Sequence, residues 1–533
     1  MNKPTRLTGG EALVAALATH DVGTVFGIPG THNLPIYAHL IKYDIAHFSP
    51  RHEQGAGYAA DGYARSSGRV GVCLTTSGPA ILNTAAAAAQ AYSDSVPVLF
   101  ISPGMPLQHP ARGNGYLHEV KNQSRAMDSV VAYSHRVGSV EEIPLAVAQA
   151  FAAMQGGRPR PVHLEIPLDL LEIEAEVSLV PPVPHLAHQA DPSQLDRAAM
   201  VLGAAERPGI VAGGGSRAAA VELVALAERL GAPVVHTTNG KGTVADDHPL
   251  GLGTGVHHPS VAEFAADCDV LLAVGTELAP SDLWIGPLPV SGTLVRIDVD
   301  PVQISSNAVP DVAVVGDAAL SIEGLLSRLD HEPAPGAAGR ADAWRKRLQA
   351  DARVEGALYL PIIEAMSEVL QPGDVVAADS AMACYYGAIS NLPAHRPASF
   401  LYPTGVGTLG YGLPAAIGAK LARPDARVMA MHGDGGVMFT IVELAGAAEA
   451  GLAIPLLVVD NGGYGEIRNE QAARGDQPLG VNLGHPDFVG LARSLGCHAV
   501  ALTDAAALST ALGEAFEADR PTLIHIPEPE SDQ

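Results

Sequence analysis

Basic residues are scarce. The chain sets 32 Lys and Arg against 57 Asp and Glu in 533 residues, a formal charge of −25. Lacking basic runs, it has no electrostatic footprint for a phosphate backbone, and no nucleic-acid partner is expected. Only four cysteines occur, Cys73, Cys268, Cys384 and Cys497, far apart and with no CxxC pair. This excludes a disulfide framework and a cysteine-based zinc site, and fits thiols scattered in a reducing compartment. Long apolar runs are missing too. The start, MNKPTRLTGGEALV, has no apolar signal core, and the small-residue run 84–91 is too short and too weakly apolar to cross a bilayer. A cytoplasmic protein with no membrane partner is the expectation, and a small molecule is the expected ligand. The shares of hydrophobic residues (47%) and charged residues (17%) belong to a folded chain, not a disordered one. Single cores stop growing near about 250–300 residues, so several domains follow.

What is present is a repeated strand–helix rhythm. Residues 10–20 form a helix pattern, 24–26 a strand leading into GIPG, and 46–48 a strand before Arg51-His52-Glu53 and another helix. Strand 70–75, a small-residue helix at 81–91 and strand 96–102 continue the series, as in a doubly wound parallel sheet. A proline-rich joint (179–188) closes this unit. A second series starts at Arg207, with RPGIVAGGGSR as a strand entering a glycine turn, a helix at 219–230 and strands at 233–236, 268–275 and 293–298. It fades into a segment of linker composition at 331–343. The reading is α/β with three domains (1–178, 190–330 and 354–533), each a mostly parallel sheet flanked by helices.

Residues 428–465 carry the strongest chemical signal. They read as a strand (428–431), a glycine turn with Asp434, a helix (437–450), a strand (456–460) and a loop opening with Asn461. Acceptor side chains thus stand at the carboxyl ends of two parallel strands, where such sheets place ligands. Asp434 and Asn461 are hard oxygen ligands for Mg²⁺ or Ca²⁺. Gly433, Gly435 and Gly436 let backbone N–H groups approach an anion at a helix N-terminus. From the residues alone this is a magnesium–diphosphate site.

A GDG turn with Asn461 one strand further on resembles the cofactor motif of thiamine diphosphate enzymes. RHEQGAGYAADGYAR (51–65), TTSGPAILN (75–83) and PTGVGTLGYGLPAAIGAKLA (403–422) extend the likeness over nearly the whole chain. The chain resembles the thiamine diphosphate-dependent 2-oxo acid decarboxylase and acetolactate synthase superfamily, with Ala80 in place of the last glycine of TSGPG. The resemblance implies thiamine diphosphate and Mg²⁺ as cofactors, with Asp434, Asn461 and the Gly463 carbonyl on the metal. It implies a catalytic Glu53 against the cofactor's aminopyrimidine ring, with Ser77, Pro79 and Asn83 nearby and Ser380 against the diphosphate. Gly407 would offer its carbonyl to the 4′-amino group, Leu409 would wedge the cofactor into its bent shape, and Tyr464 and Gly465 would complete the metal loop. It also implies a homodimer or homotetramer with the active site between subunits. Relatives use the central domain for FAD, for ADP or for nothing. GGGSR (213–217) lacks a convincing GxGxxG with a downstream acid, so FAD is not favoured and the turn reads as structural.

Departures from the family pattern narrow the chemistry. Thr76 stands where benzoylformate decarboxylase has His, and Thr31 where pyruvate decarboxylase has Asp, so neither mechanism is copied. Other polar candidates are His32 and Asn33 on the loop after a strand, and His118, Glu119 and Gln123 in GYLHEVKNQSR, with His118 preferred as catalytic. No spacing around His257 and His258 supports a transition-metal site. Glu466, just past the metal loop, is the most informative departure. An acid there opposes pyruvate but suits a cationic tail, and YGEIR looks like enzymes that decarboxylate 5-guanidino-2-oxopentanoate. The bland alternative pairs Glu466 with Arg468 or Lys121. The expectation is decarboxylation of a 2-oxo acid, with Glu53, His118 and Glu466 as catalytic residues. The alternatives are an acetolactate synthase-like carboligase and a non-catalytic nucleotide-binding protein.

Overall fold

The computed structural model describes residues 4–110, 112–184, 187–284, 286–330, 333 and 336–529. Its frame is three six-stranded parallel sheets. Apolar strands buried on both faces, such as Val98–Gly104 and Pro455–Asp460, explain why the sheets are parallel and covered by helices.

The first sheet runs Ala46–Phe48, Thr24–Gly27, Gly71–Leu74, Val98–Gly104, Val162–Pro167, Ser134–Arg136. The third runs Phe400–Leu401, Val375–Ala378, Val428–Gly433, Pro455–Asp460, Thr522–Pro527, His498–Ala501. Numbered within each domain, both have the order 2-1-3-4-6-5. The central sheet runs Gly251–Thr254, Val234–His236, Pro208–Ala212, Val270–Val274, Thr293–Asp298, Val312–Val315, the order 3-2-1-4-5-6. A short antiparallel pair, Thr5–Thr8 with Glu174–Val177, ties the start of the chain to the end of the first domain. In each large sheet the strand order reverses at one point, and the loops leaving the carboxyl ends there form a crevice.

The first and third domains share one core, built on the helices Glu53–Ser67 and Gly412–Ala422. Glycine makes the contact possible: a Cβ at Gly62 would strike the Ala415 carbonyl, and one at Gly418 the Ala59 carbonyl. Arg65, on the first helix, binds three domains at once. It donates to Asp61 (2.7 Å) and Asp94 (2.7 Å), to Asn239 of the central domain (3.0 Å) and to the Tyr402 carbonyl (3.4 Å).

Three sequence expectations change. The helix expected at 437–450 is two short helices, Asp434–Val437 and Glu443–Glu449. Between them the Thr440 hydroxyl donates to the Gly410 carbonyl (2.7 Å), and the turn swings Glu443 inward to accept from the N–H groups of Arg51 (2.9 Å) and His52 (3.0 Å). The helix at 81–91 breaks at Thr84 into Pro79–Asn83 and Ala85–Ser93. The linker-like segment 331–343 runs into a helix, Ala337–Glu355, while its residues 331, 332, 334 and 335 lie outside the described residues, as do 185 and 186 of the proline joint. Among the described residues no helix is long and apolar enough to cross a membrane.

Candidate active site

The third sheet reverses between Val375–Ala378 and Val428–Gly433, so Asp379, Ser380 and Asp434 leave from the crevice. Asp434 is 5% exposed, and burial pushes its carboxyl above the usual range. The backbone N–H of Asn461 donates to its Oδ1 (3.2 Å). The Asn461 side-chain oxygen faces oxygen only: the Gly463 carbonyl at 3.0 Å and Asp434 Oδ1 at 3.2 Å. Its amide nitrogen points to Glu528 Oε1 (3.3 Å) and Met382 Sδ (3.6 Å). Rotating the amide would let it donate to both oxygens, but would turn its own oxygen onto the Glu528 carboxylate. A carboxylate, an amide oxygen and a carbonyl facing one another suit a hard divalent cation.

The glycine turn fits close approach. A Cβ at Gly435 would stand 2.9 Å from the Tyr464 ring and 3.2 Å from the Gly463 carbonyl, and one at Gly436 would strike Asp379 and lie 3.7 Å from Leu409 Cδ2. Gly433 is half-buried at the end of its strand, and Gly465 abuts the Asn461 amide. Gly407 has φ +67, and Ser380 Oγ lies 3.8 Å from where its Cβ would be. The structure therefore brings Ser380, Gly407, Leu409, the GDGG turn and the Asn461–Gly465 loop together. Sequence reasoning missed the clasp beneath them. Fully buried Asp379 accepts from the N–H groups of Gly410 (3.0 Å) and Tyr411 (2.9 Å) and from His432 Nδ1 (3.0 Å), while His432 Nε2 accepts from Leu413 N–H (2.7 Å). Two backbone bonds to one carboxylate fix the segment that carries Leu409. The signal was adjacency alone: Asp379 precedes Ser380 and His432 precedes the GDG turn.

The first sheet reverses between Thr24–Gly27 and Gly71–Leu74, and its crevice gathers the other candidates. Glu53 opens its helix, half-buried, and accepts from Asn83 Nδ2 (2.9 Å). Ser77 is fully buried with Oγ 2.5 Å from His32 Nδ1, and Pro79 is exposed. His32 and His118 meet edge to face with ring centroids 5.0 Å apart. Burial and the neighbouring His118 hold the His32 imidazole below its usual range. His118 has φ +62, and its Nδ1 is buried with no hydrogen-bond partner among the described residues. Gln123 is turned away from the crevice: it accepts from Gly78 N–H (2.9 Å) and donates to Ser102 Oγ (3.1 Å). Glu119 accepts from the N–H groups of Asn114, Gly115 and Tyr116, and Asn33 from Gly30 N–H, so both close their own loops. Among the described residues no hydrogen bond or ion pair links Glu53, Ser77 or His118 to Asp434, Asn461 or Ser380.

Both half-sites match one family. The chain fits the thiamine pyrophosphate enzyme N-terminal TPP binding domain over residues 7–126, the central domain over 195–325 and the C-terminal TPP binding domain over 381–526. It belongs to the thiamine diphosphate-dependent 2-oxo acid decarboxylase and acetolactate synthase superfamily. Among its relatives is a Pseudomonas aeruginosa protein named "probable 2-ketoarginine decarboxylase", 40% identical over 99% of this chain and 95% of its own. Proteins named "probable acetolactate synthase large subunit" from Methanococcus aeolicus and Methanocaldococcus jannaschii are 33% and 34% identical, covering 97% and 98% of this chain and 91% and 92% of theirs. The protein is an enzyme, and thiamine diphosphate is its cofactor.

Two further features bear on the site. Glu466, in the first turn of the helix Gly465–Ala473, accepts from the Tyr386 hydroxyl (2.9 Å). Arg468 instead donates to the Asn461 carbonyl (3.0 Å) and Asn482 Oδ1 (3.3 Å), and among the described residues no ion pair reaches Glu466. The bland pairing is therefore not formed. In the central domain, Gly214, Gly215 and Arg217 of the GGGSR turn line a cavity of about 570 Å³, together with Arg65, Asp94 and Gly275. Burial and the charge of Arg65 push the Arg217 guanidinium down to about 10. The turn thus borders a space of ligand size, which a purely structural reading of GGGSR did not include.

Proposed function

We propose that this enzyme removes CO₂ from a 2-oxo acid with a cationic side chain, 5-guanidino-2-oxopentanoate being the leading case, with Mg²⁺ as the metal. The observation that carries this is Glu466, an acid beside the metal loop, held by a tyrosine hydroxyl and without a basic partner among the described residues. A second carboxylate in the same crevice opposes a small acid such as pyruvate, whereas a guanidinium turns that charge into attraction. The name of the Pseudomonas relative supports the same substrate.

Bound thiamine diphosphate supplies the electron sink for the carbanion left by CO₂. Asp434, Asn461 and the Gly463 carbonyl hold the cation, while Gly433, Gly435, Gly436 and Ser380 present donors to the diphosphate. Gly407 and Leu409 orient the pyrimidine, and Tyr464 and Gly465 close the loop around the metal. Glu53, steadied by Asn83, holds the proton shared with the pyrimidine ring, beside Ser77 and Pro79. His118 is the group that hands the product its proton, while Glu466 meets the cationic end of the substrate.

A second copy completes the site. Met438, Phe439 and Val442, in the break after the Asp434 turn, are 46%, 48% and 42% exposed, which fits burial against a partner subunit. A homodimer or homotetramer, with Glu53 of one subunit serving the diphosphate domain of another, is the assembly this favours. Carboligation of the acetolactate synthase kind is the second reading, favoured by the cavity of about 570 Å³, which on that reading admits FAD.

The test is CO₂ release and product mass with thiamine diphosphate and Mg²⁺ over pyruvate, a branched 2-oxo acid and 5-guanidino-2-oxopentanoate. The expected product is 4-guanidinobutanal from the guanidino acid. Acetolactate from pyruvate, with no aldehyde from the guanidino acid, would overturn the proposal in favour of carboligation.

A further inference from the structure

Two aromatic rings neighbour the Glu466 carboxylate, and a third, from another domain, packs against those two. Tyr385 and Tyr386 stand on the helical turn Ala383–Ala388, just after Ser380, with ring centroids 4.5 Å apart at 72°. Trp284 reaches over from the central domain, 6.3 Å from the Tyr385 ring at 87° and 6.2 Å from the Tyr386 ring at 86°. Its other neighbour is His257, stacked at 3.8 Å and 21°. Trp284 is 44% exposed and has φ +41, a backbone setting that a bulky residue rarely adopts and that is found at ligand clamps. Its ring is pinned by an Nε1–H bond to the Ser281 carbonyl (2.9 Å). The indole thus keeps a strained backbone setting and a partly exposed ring although His257 stacks on it.

Negative charge collects around these rings. Burial and the charges of Glu466, Glu355 and Glu470 all push the Tyr386 phenol up, so three carboxylates act on one hydroxyl. Glu466 and Glu470 lie one turn apart on Gly465–Ala473. Glu355 reaches His257 Nε2 (3.1 Å). Among the described residues no Lys or Arg forms an ion pair with any of the three.

We infer that Trp284, Tyr385 and Tyr386, with Glu466 as counter-charge, form a subsite for the guanidinium end of the substrate. The inference rests on the decarboxylase reading and adds the residues that make it selective, including one from a domain with no part in holding the cofactor. The chemistry fits a guanidinium. It is planar, so it stacks on an indole face while its fork of N–H donors meets a carboxylate. Rings set near right angles to one another present faces and edges to a cation, as in aromatic cages.

The test compares 5-guanidino-2-oxopentanoate with its neutral isostere 2-oxo-5-ureidopentanoate in the holoenzyme, as the ratio of kcat/KM values. Wild type, Trp284→Ala and Trp284→Phe are measured, with circular dichroism confirming the fold of each. The wild type is expected to prefer the guanidino acid. Trp284→Ala should cut that preference about tenfold, mainly through KM, and Trp284→Phe should keep most of it. An unchanged ratio in Trp284→Ala, with both acids still decarboxylated, would overturn the subsite and leave the decarboxylase reading standing. A wild type that handles both acids equally would also overturn it. A wild type that decarboxylates neither would bring down the decarboxylase reading and the subsite with it.

Discussion

Glu528 lies outside the cofactor motifs in sequence, yet it should govern metal affinity through its bond to Asn461. Its Oε1 accepts from the Tyr359 hydroxyl (2.5 Å) and from Asn461 Nδ2 (3.3 Å). That second bond keeps the Asn461 oxygen turned toward Asp434 and Gly463, the orientation a cation needs. A hydrogen bond to a charged group contributes about 1.5–3 kcal/mol, and at 3.3 Å the lower end applies. About 1.5 kcal/mol is roughly tenfold in affinity, within the about 10–100-fold span typical of residues that orient metal ligands. Glu528→Leu is therefore expected to weaken Mg²⁺ binding about tenfold. Glu528→Gln, whose oxygen can still accept from Asn461, should cost about threefold, roughly half the free energy. Tyr359→Phe removes only the far partner and serves as the control. The assay is calorimetric titration of Mg²⁺ into protein with thiamine diphosphate, with the melting temperature of each variant recorded. Wild-type Mg²⁺ affinity in Glu528→Leu would refute the reasoning. So would an equal loss in Tyr359→Phe, which would assign the effect to packing around the tyrosine.

Two stability predictions accompany it. Arg65→Met leaves Asp61 and Asp94 without their cation at side-chain exposures of 0% and 2%, and should cost about 3–5 kcal/mol, read from the denaturant midpoint. A loss below about 1 kcal/mol would mean that the guanidinium does not join the three domains energetically. Burial pushes the Glu443 carboxyl up from 4.5 to about 7. A carboxyl raised on folding lends stability that is whole below about pH 4.5 and lost as pH climbs through about 7, in all about 3 kcal/mol. Glu443→Gln has no proton to lose, so its stability should fall less steeply between pH 5 and 7 than that of the wild type. Parallel pH profiles for the two would contradict the assignment.

The sequence by itself determined whatever depends on neighbours along the chain. The strands Ala46–Phe48 and Thr293–Asp298 lie where the pattern of apolar runs and turns put them, because a buried strand is marked by its own residues. The GDG turn and Asn461 were legible for the same reason: a strand, a glycine turn and a helix start are local events, and parallel sheets put their loops on one side. Tertiary structure decided the rest. The helix expected at 437–450 breaks because Thr440 and Glu443 bond to Gly410, Arg51 and His52, partners no local propensity can foresee. Glu119 and Asn33 looked free to meet a ligand, but their oxygens satisfy loop N–H groups that would otherwise lack partners. Asp379 with His432, Glu528 with Asn461, and Trp284 with Tyr386 are pairs from distant segments, and only the packed domains bring them together. What surrounds Glu466 belongs to this last class. A single acid in a sequence states a charge, and only the fold shows whether a cation already answers it.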